Sequence, residues 1–255
     1  MPTVAPLPSC PPGLEYLTLL DEVIVKQEVE LLEVVFGFET ENAYTIYNKA
    51  NEICYYAFEK SECCCRHLCG PSREFEIIVQ DNFQKTVFKI YRPYKCTCGS
   101  CVACCDICQD EVQVTTQDGS RLGEAHQRRA CCFPQFHVMD HDLTPLLEIV
   151  GPTCECTVCC PSIQFEVSRI GDRKPIGVIS KYRGDFVKEF FTDADTFGVT
   201  FPIDLDVRLK ATLIGCVFLI DFMYFEGPAN MNMRSSSHGR SRSLNQTSTR
   251  EELGL

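Results

Sequence analysis

Short runs of strand-forming residues recur along most of this chain, and part of the pattern is repeated. One copy spans residues 75–101 and a second spans residues 136–159, and each copy ends on a Cys-x-Cys-x-x-Cys motif. Clusters of Gly, Pro, Asp, Asn and Cys separate the runs, which is typical of short antiparallel strands joined by turns. Two copies are too few for a solenoid. We therefore predict a mainly β fold, a closed antiparallel barrel whose closure removes exposed strand edges.

The pattern changes at residues 209–225, which form a long apolar run. From Ala211 to Phe225 the single charged residue is Asp221. A helix of that length spans about 22 Å, which is short for a hydrocarbon core of about 30 Å, and an acidic group inside a membrane is costly. We favour a helix enclosed by the barrel, with a single membrane span as the alternative. The residues predicted to face the core or the membrane are Ala211, Gly215, Cys216, Asp221 and Phe225.

Composition divides the chain into three parts. Residues 1–12 are a Pro-rich leader that is expected to be extended, residues 13–226 form the barrel domain, and residues 227–255 are a Ser/Arg-rich basic tail that is expected to be disordered. The formal net charge of −11 argues against general nucleic-acid binding. No secretory signal is visible at the start, so we expect a reducing compartment.

The chain contains 19 cysteines, and a disulfide framework is not expected in a reducing compartment. Six of them lie within thirteen residues: Cys96, Cys98, Cys101, Cys104, Cys105 and Cys108. Four thiolates from this segment could hold zinc, although two CxxC pairs around a finger loop are missing. S-acylation is slightly favoured, because several acyl chains together hold a protein firmly on a bilayer. Ordinary free thiols are the third alternative.

An acidic segment of twelve residues, 193–204, matches half of an EF-hand calcium loop. Asp occupies positions 1, 3 and 12, and Gly occupies position 6. Position 5 is Phe197 and no entering helix is evident, so the expected calcium affinity is low. The equally weighted alternative is a capped turn before a strand, in which aspartates accept from backbone N–H groups. The candidate calcium positions are Asp193, Asp195, Phe197, Val199, Phe201 and Asp204.

Sequence signatures of enzymes are missing from the chain. It contains no GxSxG, HExxH, Walker or GxGxxG motif. We therefore predict no catalytic residues and no hydrolytic activity.

Several motifs, in a fixed order over about residues 11–226, resemble the phospholipid scramblase family. They are PGLEYL (12–17), EVELLEVVFGFE (28–39), CGPSR (69–73), RP (92–93), FTDADTFG (191–198), FPIDLDV (201–207), IGC (214–216) and FLIDFM (218–223). The resemblance implies a barrel of twelve strands around a central hydrophobic helix, as in Tubby-like C-terminal domains.

The same resemblance implies a function: calcium-stimulated, ATP-independent, bidirectional movement of phospholipids between the leaflets of the plasma membrane. By this analogy residues 193–204 bind calcium and the segment Cys96 to Cys108 is palmitoylated. It further implies that the protein attaches to the cytoplasmic face of the membrane, that residues 209–225 cross the membrane once, and that residues 177–186 direct nuclear import.

The expected partners are membrane phospholipids and proteins at the membrane, with calcium-induced self-association. The rival hypotheses are an acylated adaptor that binds lipid or protein without scrambling, and a zinc-stabilised scaffold.

Overall fold

The computed structural model describes residues 10–28, 42–60, 73–95, 109–130, 133–152, 162–172, 174–182 and 196–225. These residues form a 3-10 helix at Glu15–Leu19, twelve antiparallel strands and one α-helix, α1, at Val207–Tyr224. The strands are β1 (Glu22–Glu28), β2 (Ala43–Asn48), β3 (Ile53–Lys60), β4 (Phe75–Gln80), β5 (Thr86–Arg92), β6 (Glu111–Thr116), β7 (Arg121–Gln127), β8 (Gln135–Met139), β9 (Pro145–Val150), β10 (Ser162–Arg169), β11 (Pro175–Tyr182) and β12 (Thr196–Thr200).

The strands close into a single barrel. Each strand pairs with the next one along the chain, and β12 pairs back with β1 from Glu22↔Thr200 to Lys26↔Thr196. The described strands therefore leave no open edge, and the predicted closed barrel of twelve antiparallel strands is confirmed.

Strand sequence and burial follow the two-residue period of a pleated sheet. In β6, for example, Val112 and Val114 are fully buried while Glu111, Gln113 and Thr115 are half-buried on the outer face. The alternation places one apolar side of every strand against the interior, which is why so many short runs build one continuous core.

The antiparallel order gives the barrel two unlike ends. The turn end carries the tight hairpin turns at residues 49–52, 81–85, 117–120, 140–144 and 170–174. At the connection end lie the strand termini that flank residues 29–41, 61–72, 96–108, 131–132, 153–161 and 183–195.

The helix α1 fills the barrel from the turn end to the connection end. It begins two residues earlier than predicted, because the side chain of Asp206 accepts a hydrogen bond from the backbone N–H of Arg208 and so caps the helix. It ends one residue earlier, and Phe225 is its C-cap. Buried residues occur on all sides of α1, so the predicted enclosed helix is confirmed. Among the described residues, no helix has the length and apolar character that a membrane crossing demands.

The predicted leader and tail fall largely outside the described residues. Residues 1–9 and 226–255 are not among them, so the expected extended and disordered states stay predictions.

Candidate functional site

The candidate site is built around α1 and its attachments to the barrel. Ala211 and Cys216 are buried at 0% and 1% exposure, and Gly215 lies so close to β6 that a Cβ atom there would sit 2.7 Å from Val114 Cγ2. Phe218 meets Tyr44 edge-to-face at 4.9 Å between ring centroids. The helix therefore has close neighbours on the barrel wall rather than a surrounding cavity.

Lys210 fixes the helix at the turn end. Its fully buried ammonium donates hydrogen bonds to the backbone carbonyls of Leu17, Leu20 and Ile203 at 3.0, 2.7 and 2.8 Å. Burial lowers the pKa of Lys210 because the charged form loses its water, while Asp204 and Asp21 oppose this shift. One side chain thus ties the start of α1 to the 3-10 helix near the start of the described chain and to the loop after β12.

Asp221 fixes the helix at the connection end. Its carboxylate lies 3.6 Å from the ammonium of Lys181 on β11. The same ammonium lies 4.2 Å from the ring centroid of Phe225 and 4.9 Å from that of Phe197. The one charge inside the predicted apolar run is therefore paired within the protein.

Two buried ion pairs each join the residues on either side of a cysteine-bearing connection between strands. Arg73 Nε lies 3.1 Å from Glu59 Oε1, across residues 61–72, and Arg92 reaches Asp110 Oδ1 at 2.7 and 3.1 Å, across residues 96–108. The Arg73 guanidinium also lies over the ring of Phe222 at 4.4 Å. These pairs tie the ends of both connections to the rim of the barrel and, through Phe222, to the helix.

The predicted calcium loop does not fit the part of the acidic segment that is described. Phe197 and Val199 lie in β12, where they pair with β1 on one side and with β11 on the other. A calcium loop must turn its oxygens toward one centre, whereas here the backbone is extended between two ladders and the rings of Phe197 and Phe201 are buried. The strand expected by the alternative interpretation is therefore present from residue 196 onward, and calcium binding by the acidic segment stays a prediction.

The three aspartates of that segment are placed differently. Asp204 is exposed at the turn end, on the loop between β12 and α1. Asp193 and Asp195 lie outside the described residues, so the common calcium site of the six positions stays a prediction.

The predicted acylation cysteines, Cys96 to Cys108, also lie outside the described residues. Within the described ranges the free thiols are Cys10, Cys54 and Cys216. Burial raises the pKa of Cys54 to about 12 and that of Cys10 to about 11. Such thiols are poor nucleophiles because the thiolate is hardly populated at neutral pH.

Sequence reasoning missed the roles of Lys210 and of the two buried arginines. A charge at the start of an apolar helix was a visible signal for Lys210. Arg73 and Arg92 stand beside the cysteine-bearing segments in sequence, but their partners became apparent only once the strands were paired.

Comparison with known proteins gives a consistent result over nearly the whole chain. The Scramblase family model matches residues 1–227. Phospholipid scramblase 2 from Bos taurus is 44% identical over 224 residues, which is 87% of this chain and 75% of that relative. Phospholipid scramblase 1 from Homo sapiens is 41% identical over 235 residues, which is 92% of this chain and 72% of that relative. Phospholipid scramblase family member 5 from Homo sapiens is 40% identical over 226 residues, which is 89% of this chain and 80% of that relative.

A solved structure is similar only at a low level. An X-ray structure of a protein from Arabidopsis thaliana is matched over 82% of this chain and 97% of that chain, with a TM-score of 0.42 and 9% sequence identity. A similarity this weak carries no argument, and the fold rests on the strand pairing described above.

Proposed function

This chain belongs to the scramblase family, and from that premise we propose that it moves phospholipids in both directions between membrane leaflets, without ATP and without covalent chemistry. The observation that carries the proposal is the family match over residues 1–227 together with relatives named phospholipid scramblases at about 40% identity. The plasma membrane, through its cytoplasmic face, is the proposed location.

The packed interior constrains how such movement takes place. Core side chains of α1 such as Leu213, Cys216 and Leu219 are at most 1% exposed, and the buried strand residues close around them. A lipid headgroup does not fit through an interior packed at protein density. We therefore place lipid movement at an outer surface of the barrel, where the protein disturbs the order of the adjacent bilayer.

The attachments of α1 bear on the same mechanism. Releasing the helix into a membrane would break the hydrogen bonds of Lys210 and separate Asp221 from Lys181. Charged groups that lose buried partners carry large energetic costs. The proposal therefore keeps the helix inside the barrel while lipids move.

Membrane attachment by acylation belongs to the proposal. The described residues on either side of Cys96 to Cys108 include the Arg92–Asp110 pair, at the connection end. Acyl chains on several of these thiols would hold this end against a bilayer. Hydroxylamine-sensitive acyl groups mapped to this segment by mass spectrometry would support the attachment, and their absence from membrane-bound protein would contradict it.

Calcium stimulation is also part of the proposal, with fewer calcium-binding residues than the sequence motif suggests. Phe197 and Val199 have their backbone in the ladders of β12, so we assign the proposed calcium contacts to the carboxylates of Asp193, Asp195 and Asp204. Asp193 and Asp195 are separated by one residue and are the first residues to test.

The decisive experiment is lipid flip in proteoliposomes. A fluorescent phosphatidylserine analogue is followed by outer-leaflet quenching, with and without millimolar calcium. The double variant Asp193→Ala/Asp195→Ala is compared with Asp140→Ala/Asp142→Ala, which removes two carboxylates from a turn elsewhere. Calcium-dependent flip that only the first variant loses is the expected result. Flip at protein-free levels in every condition would refute direct scrambling and favour the acylated adaptor.

A further inference from the structure

Two histidines lie directly opposite each other on the outer wall of the barrel. His126 of β7 is paired with His137 of β8 in the antiparallel register. The row continues on both sides, because Glu111 of β6 is opposite His126 and Glu148 of β9 is opposite His137. Residues directly opposite in neighbouring strands have Cβ atoms about 4.5–5.5 Å apart on the same face of the sheet. The four side chains thus form one row of carboxylate, imidazole, imidazole and carboxylate.

Each imidazole of the row has a carboxylate beside one of its nitrogens. His126 Nε2 lies 3.0 Å from Glu124 Oε2 and 3.9 Å from Glu111 Oε2, and His137 Nε2 lies 3.9 Å from Glu148 Oε1. A carboxylate on one ring nitrogen is the usual setting of a metal-bound histidine, because it orients the ring and leaves the other nitrogen for the metal.

The row is also partly shielded from solvent. Side-chain exposure is 35% for His126, 27% for His137, and 21–25% for Glu111 and Glu148.

We propose that this row binds one divalent transition-metal ion of the zinc class, through one nitrogen of His126 and one of His137. Two nitrogens on one zinc ion lie about 3.3–3.5 Å apart, since each Zn–N bond is about 2.0–2.1 Å. Cross-strand neighbours reach that separation by rotating their side chains. Glu124 holds the ring of His126 at 3.0 Å, while Glu148, which accepts a hydrogen bond from Gln135, lies 3.9 Å from the ring of His137. Glu111 is paired with the ammonium of Lys95 at 3.1 Å.

The proposed site differs from the predicted calcium segment in place and chemistry. Three strands, β9, β10 and β11, separate β8 from β12 around the barrel. Imidazole nitrogens suit zinc, whereas calcium takes oxygen ligands. Calcium should therefore leave the row empty.

The test is footprinting of histidines on the full chain without a polyhistidine tag. Diethyl pyrocarbonate modifies accessible imidazoles, and peptide mass spectrometry gives the rate at each histidine with no added metal, with micromolar zinc, and with millimolar calcium. His141 is followed alongside as the rival site, because on the turn between β8 and β9 it forms, with Asp140 and Asp142, a group whose ligand atoms are close enough to hold a metal ion. We expect zinc, and not calcium, to slow the modification of His126 and His137 together while His141 keeps its rate.

Two variants test whether both histidines hold the same ion. In His137→Asn, zinc should no longer protect His126. In Glu124→Gln, the zinc concentration that gives half-protection should rise by about 10- to 100-fold, the usual effect of losing a carboxylate that orients a ligand. Circular dichroism melts confirm that each variant is folded.

Three results would overturn the proposal. Zinc bound only by cysteines would leave both rates unchanged, and zinc bound at the turn would protect His141 alone. Protection of His126 that persists in His137→Asn would show that the two imidazoles do not share an ion.

Discussion

The substitution Lys210→Met tests whether a buried ammonium holds the turn end of the barrel together. Methionine keeps much of the length and apolar character of the side chain, but it removes all three hydrogen bonds to Leu17, Leu20 and Ile203. The helix, the 3-10 helix before β1 and the loop after β12 would lose their common partner.

The expected size follows from two opposing effects. A buried carbonyl left without a donor costs about 1–3 kcal/mol. Lys210→Met takes the ammonium from the carbonyls of Leu20 and Ile203, while the carbonyl of Leu17 still accepts from the backbone N–H of Leu20. Against this, the variant no longer keeps a charged group out of water, a cost of several kcal/mol per ion. We expect a net loss of about 2–4 kcal/mol in the free energy of unfolding. For a domain of this size that corresponds to a fall of roughly 5–15 °C in Tm.

The assay is chemical denaturation followed by circular dichroism, with a thermal melt alongside. Lys49→Met is the matched control, because Lys49 has a side chain that is 71% exposed and lies 3.7 Å from Asp21. An exposed ion pair of this kind contributes about 0–1 kcal/mol. A Lys210→Met protein as stable as the Lys49→Met control would refute the role given to the ammonium.

Three further perturbations have definite expectations. Arg92→Met leaves the buried carboxylate of Asp110 without its cation and should lower the free energy of unfolding by about 3–5 kcal/mol, with much of the loss recovered in Arg92→Met/Asp110→Leu. Gly177→Ala places a Cβ atom against the carbonyl oxygen of Thr200, so β11 and β12 must separate and the midpoint of thermal unfolding should fall by several degrees. Burial raises the pKa of the Cys54 thiol from 9.0 to about 12, so as pH rises the thiol of the unfolded chain ionises first. The free energy of unfolding should therefore fall between pH 9 and 12, by up to about 4 kcal/mol. In Cys54→Ala this fall should be smaller.

Each of these expectations has its own control or contrary outcome. Arg121→Met removes an arginine that is 44% exposed beside Glu124 and should change stability by less than about 1 kcal/mol. Cys10→Ala should reduce the loss of unfolding free energy at alkaline pH by less than Cys54→Ala does, since the pKa of Cys10 rises only to about 11. A Gly177→Ala protein with an unchanged melting point would show that β11 and β12 are not packed as closely as described.

The barrel and its helix could be predicted because their signals are local. Alternating apolar residues, as in β6, identify a strand facing a core, and an apolar run with one internal charge identifies an enclosed helix. The cap at Asp206 was also visible in sequence as an aspartate before the helix, and it accounts for the earlier start of α1.

The acidic segment carried two patterns in the same residues, and sequence reasoning left them equally weighted. Carboxylate spacing and a central glycine matched a calcium loop, but Phe197, Val199 and Phe201 also alternate with the period of a strand. The buried, paired β12 shows that this second pattern prevailed. Carboxylate spacing describes ligands only where the backbone is free to fold around an ion.

The ion pairs could not be predicted, since their partners depend on how the barrel closes. Glu59 meets Arg73, and Arg92 meets Asp110, only because β3 pairs with β4 and β5 with β6. Lys210 contacts carbonyls about 190 residues earlier in the chain. No local pattern carries that information.

The two ends of the barrel form two opposite poles, and groups fused at the two ends of the described chain would lie at different poles. The described chain enters at Cys10, on the side of the 3-10 helix and the turn end, and leaves after Phe225 at the connection end. The eighteen-residue helix between these poles is about 27 Å long. A fluorophore joined ahead of Cys10 and another joined behind Phe225 therefore report on opposite faces. When the protein sits on vesicles containing a quenching lipid, the dimmer fluorophore identifies the pole that meets the bilayer.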